Sequence, residues 1–380
     1  MPTRQKNRTL TIIATILLTI IMQGALMGKT IGLYFGTYTR KSPAEGIYYA
    51  ELDLNSGQLN KLQLVVKSSN PSFIEIHPTG KFLYAVAEGK LGKIKAFSID
   101  PKSKKLKLLN QRSAEGAAPC HISLDKAGKN LLLANYSTGN VAVFPINADG
   151  SLSEVSSTMQ HKGVGVTKRQ KGPRAHSINL SPDNRFAYVA DLGLDKVMIY
   201  KFDPEIGVLK TNNPPFAKLK PGAGPRHLTF HPNGRFIYVI NELDETMTAF
   251  SQDSKTGALT EIQNISTLPA DFKGVSWCAE VRVHPNGKFL YGSNRGHDSI
   301  VVYQIDLTTG KLTLVGFQDR GIDNPRNFNI DASGKYCLVG NQDNDTVLLF
   351  NINQQTGMLE PTDQVLNIGK PICIRFLENR

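Results

Sequence analysis

Hydrophobic and polar residues alternate along most of this chain in short runs, which turns interrupt at regular intervals. The stretch Gly224–Glu242 shows the unit: a short alternating run over residues 227–230, then His-Pro-Asn-Gly, then an apolar run, Phe236–Ile240. Alternation with a period of two and a turn whose Asn and Gly supply left-handed backbone are typical of a β-hairpin. Because a hairpin returns on itself, Arg226 and Glu242, at its two ends, should lie at the same edge of a sheet.

This hairpin recurs along the chain at intervals of 47 to 56 residues. Its turns begin at His77, Asp125, Ser181, His231, His284 and Asp331. Each turn leads to a strand, a polar loop, a third strand, a turn ending in Gly and a fourth strand. Four short antiparallel strands per unit of roughly 50 residues is the pattern of a β-propeller blade. A helical repeat would instead place apolar residues at a spacing of 3.6.

The ends of the chain complete the count of blades. Six full units follow one another from about residue 70 onwards, whereas Ile31–Leu64 supplies only the later strands of a unit. The segment Pro371–Phe376 supplies a lone first strand. We therefore expect an all-β, seven-bladed β-propeller in which the C-terminal strand closes the first blade, because such closure removes exposed sheet edges.

The first 28 residues have a different pattern from the rest. Three basic residues precede an apolar run, Leu10–Met22, which is followed by small residues. This order is typical of a secretory signal, and an uncleaved membrane anchor is the alternative. The sequence thus predicts a signal or anchor at residues 1–28, a propeller domain at 29–380, and an exported protein located in the periplasm or outside the cell.

Charge and cysteine content narrow the possible partners. The formal net charge is +12, but the basic residues are spread along the chain. Scattered positive charge favours attraction of small anions and gives no basic stripe for a nucleic acid. The four cysteines lack metal-ligand spacing and are interpreted as buried thiols, although export would permit a disulfide. We expect a monomer that binds neither nucleic acid nor a metal or other cofactor, with membrane contact only if the N-terminal segment stays uncleaved. A divalent ion held by carboxylates of the strand-end loops is the alternative to a metal-free site.

Two rings of positions should face the central channel at one mouth. One ring lies where the inner strands begin: Phe73, His121, Ser177, His227, Glu280, Asn327 and Cys373, preceded in four blades by Cys120, His176, Arg226 and Arg326. The other follows the second strands: Tyr38, Glu88, Tyr136, Asp191, Glu242, Arg295 and Gln342. Buried charges are costly to desolvate, so their convergence indicates either a functional site or an ion-pair network that holds the channel. The histidines that begin turns are expected to satisfy local backbone groups and face solvent.

Several local motifs are similar to those of a known family. They are Gly36-Thr-Tyr-Thr39, Ala117-Ala-Pro-Cys-His121, Ala134-Asn-Tyr136, Arg174-Ala-His-Ser177, Gly224-Pro-Arg-His227, Asn241-Glu-Leu243, Ser293-Asn-Arg-Gly-His-Asp298 and Asn341-Gln-Asp343. In this order they resemble the seven-bladed propeller lactonases of the bacterial 6-phosphogluconolactonase type, a family that includes the fungal carboxy-muconate cyclising enzyme. The resemblance implies a lactone hydrolase whose active-site residues are His176, Arg226, Glu242 and Arg295.

Lactone hydrolysis needs a base, a cation for the oxyanion and an acid for the leaving alkoxide. In this hypothesis Glu242 or His176 is the base, Arg226 stabilises the oxyanion, and Arg295 binds an anionic group of the substrate. Further polar contacts with the substrate are expected from His121, Tyr136, His227, His297 and Gln342. The substrate would be a small, sugar-derived or anionic lactone, with its phosphorylation left open by the predicted export.

Two other functions remain open from the sequence. One is a secreted propeller that binds a partner without catalysis, for which exposed aromatic patches would be expected instead of converging Arg, Glu and His. The other is a cyclising enzyme that acts on a carboxylated diene with the same residues.

Overall fold

The structure, a computed structural model, describes residues 30–377. All of its regular elements there are β-strands, which form seven four-stranded sheets. The first sheet contains β1 (Thr30–Thr37), β2 (Gly46–Asp53), β3 (Leu59–Lys67) and β28 (Pro371–Leu377). The second contains β4 (Ile74–Ile76), β5 (Phe82–Ala87), β6 (Lys93–Ile99) and β7 (Leu106–Ser113). The third contains β8 (Pro119–Leu124), β9 (Asn130–Asn135), β10 (Asn140–Pro145) and β11 (Ser157–Gln160).

The other four sheets repeat this arrangement. The fourth contains β12 (Ala175–Leu180), β13 (Phe186–Asp191), β14 (Lys196–Asp203) and β15 (Val208–Lys218). The fifth contains β16 (Pro225–Phe230), β17 (Phe236–Asn241), β18 (Thr246–Gln252) and β19 (Leu259–Ser266). The sixth contains β20 (Trp277–Val283), β21 (Phe289–Arg295), β22 (Ser299–Ile305) and β23 (Leu312–Gln318). The seventh contains β24 (Pro325–Ile330), β25 (Tyr336–Asn341), β26 (Thr346–Ile352) and β27 (Leu359–Asn367).

The first sheet closes the ring with strands from both ends of the chain. Its order is β28-β1-β2-β3, and β28 runs antiparallel to β1, with Gly32 opposite Leu377 and Gly36 opposite Cys373. The other six sheets each use four strands that are consecutive in sequence. The predicted seven-bladed β-propeller, closed by the C-terminal strand, is confirmed. The predicted signal or anchor at residues 1–28 lies outside the described residues, and no helix of residues 30–377 is long and apolar enough to span a membrane.

Each blade places its turns at alternate ends of the ring. In each blade one turn connects the first and second strands, and another connects the third and fourth strands. We call the end of the ring that carries these turns the turn end. The opposite end, where the second and third strands connect and one blade leads to the next, is the mouth. In the hairpin of the fifth blade only Gly234 has a positive φ, of 70°, and in the fourth blade Asn184 takes this position with 59°. The expected left-handed Asn at position 233 is therefore wrong.

Histidines at the turn end join neighbouring blades. The Nε2 atoms of His77, His231 and His284 lie 2.8–3.0 Å from the carbonyl oxygens of Gly128, Gly287 and Gly334, each in the next blade. All three imidazoles are buried, so the expectation that they face solvent is wrong. The glycines have φ near 70–75°, and a Cβ at any of them would lie 2.2–2.9 Å from the imidazole. Glycine is thus required there by both backbone conformation and close approach.

Tyrosines of the second strands make a parallel set of contacts. Their hydroxyl groups donate to glycine carbonyls of the next blade, in the pairs Tyr84–Gly150, Tyr188–Gly257, Tyr238–Gly310 and Tyr291–Gly357. These donor–acceptor distances are 2.8–3.1 Å. Between the sheets, apolar side chains from facing blades form the core, and none of the four cysteines is in a disulfide. Cys278, Cys337 and Cys373 are buried as predicted, whereas Cys120 is partly exposed.

Candidate active site

Irregular strand pairing brings two of the four predicted catalytic residues, Arg226 and His176, towards the channel. Arg226 is the extra residue of a break in register between Pro225 and His227, opposite β17. His176 occupies the equivalent extra position between Ala175 and Ser177. Cys120 and Arg326 take this position in two further blades. A bulge of this kind redirects a side chain that the regular pleat would place elsewhere.

Glu242 follows β17 and is the centre of a cluster of arginines. Its Oε2 lies 3.0 Å from Arg226 Nε and 3.1 Å from Arg295 Nη2, and its Oε1 accepts a hydrogen bond of 3.0 Å from Arg169 Nη2. The residue is only 5% exposed. Burial alone would raise the pKa of Glu242, but the surrounding charges of Arg295, Arg226, Arg326 and Arg169 lower it. Glu242 is therefore a carboxylate with both oxygens occupied.

Arg226 retains part of its hydrogen-bonding capacity. A guanidinium has five N–H bonds. In Arg226 the Nε–H donates to Glu242, and the Nη1 group donates to Ala279 O at 2.7 Å and to His227 Nε2 at 3.2 Å. No residue within 30–377 accepts a hydrogen bond from Nη2. Burial, and then the charge of Arg326, lower the pKa of Arg226, which the carboxylates of Glu242 and Glu280 oppose.

His176 lies next to Arg226 and is buried among rings. Its imidazole is 5.3 Å from the ring of Tyr136 and 5.3 Å from that of His227, measured between centroids. Its Nδ1 lies 3.9 Å from Cys120 Sγ. Burial and then the charge of Arg226 hold the pKa of His176 well below the usual value, so the ring is neutral near pH 7. Burial also raises the pKa of the Cys120 thiol, which makes it a poor nucleophile.

A small cavity lies at the centre of these residues. Its volume is about 20 Å³, which is enough for a water molecule but not for a sugar ring. Its lining residues are Tyr38, Ser72, Phe73, Glu88, Cys120, His176, Arg226, His227, Arg326, Asn327 and Ile372. Arg226, whose Nη2 has no acceptor in the described residues, and the neutral His176 therefore line the same water-sized space.

Two larger cavities at the mouth flank this centre. The first, of about 460 Å³, is lined by Arg169, Glu242, Trp277 and Arg295 together with a rim of aspartates at positions 298, 323 and 343. Burial, and then the other two aspartates, raise the pKa of Asp323. The second, of about 500 Å³, shares two lining residues, at positions 38 and 88, with the central cavity. It also carries three basic side chains, Arg40, Lys90 and Lys370.

The predicted substrate-binding residues fall into two groups. His121 and His227 lie inside the channel, with ring centroids 5.4 Å apart, and Tyr136 covers His176. The side-chain amide of Gln342 instead donates to Asp343 Oδ1 at 3.0 Å. His297 bonds Ser299 and packs between two phenylalanine rings, at 4.8 and 5.6 Å. The structure thus places His297 in a packing environment and Gln342 near the aspartate rim, and brings neither to Arg226.

Two residues of the site, Arg169 and Trp277, are not among the positions that the repeat pattern predicted for it. Arg169 lies on the loop between the third and fourth blades, and its guanidinium carbon is 4.3 Å from the centre of the Trp277 ring. Its ion pair with Glu242 and this cation–π contact bring the loop over the first cavity. Trp277 lines the same cavity. No group of three His, Cys, Asp or Glu within residues 30–377 is arranged to hold a metal ion.

Comparison with known proteins identifies relatives of this chain in both sequence and structure. The family model of the lactonase with a seven-bladed β-propeller matches residues 32–376. The chain is 36% identical over 347 residues to a 6-phosphogluconolactonase of Bacillus subtilis, covering 90% of this chain and 97% of that protein. A putative 6-phosphogluconolactonase of Bacteroides fragilis superimposes with a TM-score of 0.86, at 34% identity, over 92% of this chain and 98% of the other. The periplasmic gluconolactonase of Pseudomonas aeruginosa gives 0.86 at 32% identity, over 92% and 99%.

Proposed function

The chain belongs to the seven-bladed β-propeller lactonase family, and we propose that it hydrolyses a sugar-derived lactone at the channel mouth. One observation carries this proposal: an arginine with two uncommitted N–H bonds and a neutral histidine border one water-sized cavity. Hydrolysis needs a cation at the developing oxyanion, a base and a water, and these groups supply the first two beside room for the third. The names of the relatives favour hydrolysis over the cyclising reaction.

In the proposed reaction, His176 accepts a proton from water as the water oxygen bonds to the lactone carbonyl carbon. The carbonyl oxygen becomes an oxyanion, which accepts hydrogen bonds from Arg226 Nη2. As this intermediate collapses, the bond between the carbonyl carbon and the ring oxygen breaks, and His176 returns its proton to that oxygen. The product is the open hydroxy acid. All atoms and protons are accounted for by the lactone, one water and the imidazole.

Glu242 is better suited to orient arginines than to act as the base. Its two oxygens already face three guanidinium groups, and these lower the pKa of its carboxyl group. A base must accept a proton, and each of these contacts opposes protonation of the carboxylate. In this assignment Glu242 holds Arg226 through Nε, and the Nη2 group remains for the substrate.

An anionic end of the substrate fits the second, basic cavity better than the position at Arg295. Arg295 already donates from Nη2 to Cys278 O at 2.9 Å and faces Glu242, and the rim of three aspartates beside it repels anions. The basic cavity combines Arg40, Lys90 and Lys370 against one carboxylate and is next to the central cavity, with which it shares two lining residues. We therefore assign a phosphate or carboxylate of the substrate to the basic cavity and sugar hydroxyl groups to the aspartate-rimmed cavity.

Export of the enzyme is part of the same proposal. The signal-like pattern of residues 1–28 supports it, and one structural relative is a periplasmic gluconolactonase. N-terminal sequencing of the protein from its host decides the point: a mature chain that begins near residues 25–30 supports export, and an intact Met1 in the cytosol contradicts it.

The activity is tested by proton release from a panel of δ- and γ-lactones, with and without phosphate or carboxylate, after subtraction of spontaneous hydrolysis. We expect Arg226→Lys to lower kcat by roughly 10²–10³-fold, since a point charge does not reproduce the planar edge at the oxyanion. His176→Gln should lower kcat by at least about 10²-fold. Arg375→Lys is the matched control, because Arg375 is also a buried arginine but pairs with Glu75 at the turn end. Failure of the folded wild type to open any lactone, or wild-type kcat in Arg226→Lys, contradicts the proposal.

A further inference from the structure

We propose that Glu280 is a positioning residue for this reaction, which acts through His227 to hold Arg226 in its reactive orientation. The inference rests on the proposed function and extends it to a carboxylate deep in the channel. Glu280 lies in β20, is 2% exposed, and contacts neither of the two large cavities. A chain of hydrogen bonds connects it to Arg226, from its Oε1 to His227 Nδ1 at 3.2 Å and from His227 Nε2 to Arg226 Nη1 at 3.2 Å.

The hydrogen-bond partners determine the tautomer of His227. A guanidinium only donates hydrogen bonds, so Nε2 of His227 must accept from Arg226 and carry no proton. Nδ1 of the neutral ring therefore carries the proton, and this N–H donates a hydrogen bond to Glu280 Oε1. Burial, followed by the charges of Arg226 and Arg282, holds the pKa of His227 well below its usual value, so the ring is neutral near pH 7.

This tautomer fixes the plane of the arginine. Nη1 of Arg226 is held by two acceptors, His227 Nε2 and Ala279 O at 2.7 Å, while Nε is held by Glu242. Three of its five N–H bonds thus have acceptors, which leaves Nη2 for the substrate. If His227 carried its proton on Nε2, two donors would face each other and Arg226 would have to rotate. The orientation of the oxyanion donor therefore depends on an acceptor at Nδ1.

Glu280 is the residue that supplies this acceptor, and its surroundings allow no neutral substitute. Its Oε1 also accepts from Val281 N at 3.0 Å, and its Oε2 accepts from Asn327 Nδ2 and from Arg282 Nη2 at 3.4 Å. Donors therefore surround both oxygens. A glutamine in this position would turn its NH₂ group towards donors on one side or the other, whereas aspartate keeps both acceptors but shortens their reach.

The first test is a double-mutant cycle on kcat. We expect Glu280→Gln to lower kcat by about 10–100-fold with KM changed by less than about threefold, because transition-state binding is lost. Glu280→Asp should recover part of this loss. In the Arg226→Lys background, Glu280→Gln should have little further effect, since both changes remove the same oriented guanidinium.

Glu75→Gln is the matched control. The Glu75 carboxylate pairs with an arginine at the turn end, and kcat of this variant should equal that of the wild type. Wild-type kcat in Glu280→Gln, or full additivity in the cycle, overturns the proposal while leaving lactone hydrolysis intact.

The second test does not need activity or a folded variant. ¹⁵N chemical shifts of the His227 ring in the wild type report which nitrogen carries the proton. We expect the proton on Nδ1 near pH 7, and a proton on Nε2 overturns the proposal. Absence of lactone turnover with the Nδ1 tautomer present would contradict the proposed function, and the positioning role with it, but not the hydrogen-bond chain itself.

Discussion

The two ends of the propeller use similar residues in opposite ways. At the turn end, His77, His231 and His284 make the same contact, each with a glycine carbonyl of the next blade. At the mouth, His176 and His227 have different partners from one another. One end repeats because every blade must join its neighbour, and the other varies because each blade contributes a different group to one site. Contacts that repeat from blade to blade therefore stabilise the ring, whereas positions that differ between blades form the proposed active site.

The difference also concerns charge. The turn-end histidines bond to uncharged backbone carbonyls, whereas the mouth gathers Arg226, Arg295 and Arg326 around Glu242 and Glu88 in a buried setting. Buried charges of this kind contribute little to stability once desolvation is counted. We therefore expect changes at the turn end to alter stability without kcat. Removal of one charge at the mouth should lower kcat and also lower the free energy of unfolding by about 3–5 kcal/mol, because it leaves its buried partner unpaired.

The largest expected effect tests whether the two ends belong to one closed ring. Deletion of residues 371–380 removes β28, which pairs along β1 from Gly32 to Thr37. The exposed edge of β1 should abolish the cooperative unfolding transition or cause aggregation, so that both ends are lost together. Thermal unfolding measures this, with deletion of residues 378–380 as the control. An unchanged midpoint after removal of β28 would show that closure does not hold the ring.

The next effect distinguishes the ends by pH. Burial, as the largest cause, holds the pKa values of His121, His176 and His227 well below 6.5. Below about pH 6.5 the unfolded chain binds protons that the folded mouth does not, so the free energy of unfolding should fall as pH decreases. These three groups together change the free energy of unfolding by at most about 4 kcal/mol per pH unit.

Urea unfolding between pH 7.5 and 5.5 measures this slope. Substitution His121→Gln should reduce it by about a third, since one of three linked protons is removed. A slope that His121→Gln leaves unchanged would mean that the mouth histidines do not govern acid stability.

The smallest effect isolates one contact between blades. His231→Ala leaves the carbonyl of Gly287 without its donor and should lower the free energy of unfolding by about 1–3 kcal/mol, with kcat unchanged. Asn233→Ala is the control, because Asn233 is exposed in the same turn and bonds only within it. Equal stability of the two variants, or a fall in kcat for His231→Ala, would remove the distinction between the ends.

The site was only partly predictable. The candidates Arg226, Glu242 and His176 follow from their places at the ends of repeated strands, and the structure brings them together. His297 has the right residue type and motif, but its ring packs against phenylalanines, since a position after a strand does not fix the direction of a side chain. Arg169 was missed because its loop lies between blades and has no counterpart in the repeat.

The sequence by itself determined the blade, the number of blades and their closure. The blade follows from local features, namely alternation with a period of two and turn glycines, and the number and closure of the blades follow from the repeat of these features along the chain and from the split first unit. The tertiary structure alone decided which tips meet and what each does. Arg226 points to the channel because a bulge shifts it out of the pleat, and His227 carries its proton on Nδ1 because Glu280, 53 residues away, accepts it. Such choices depend on contacts between blades, which no short stretch of sequence contains.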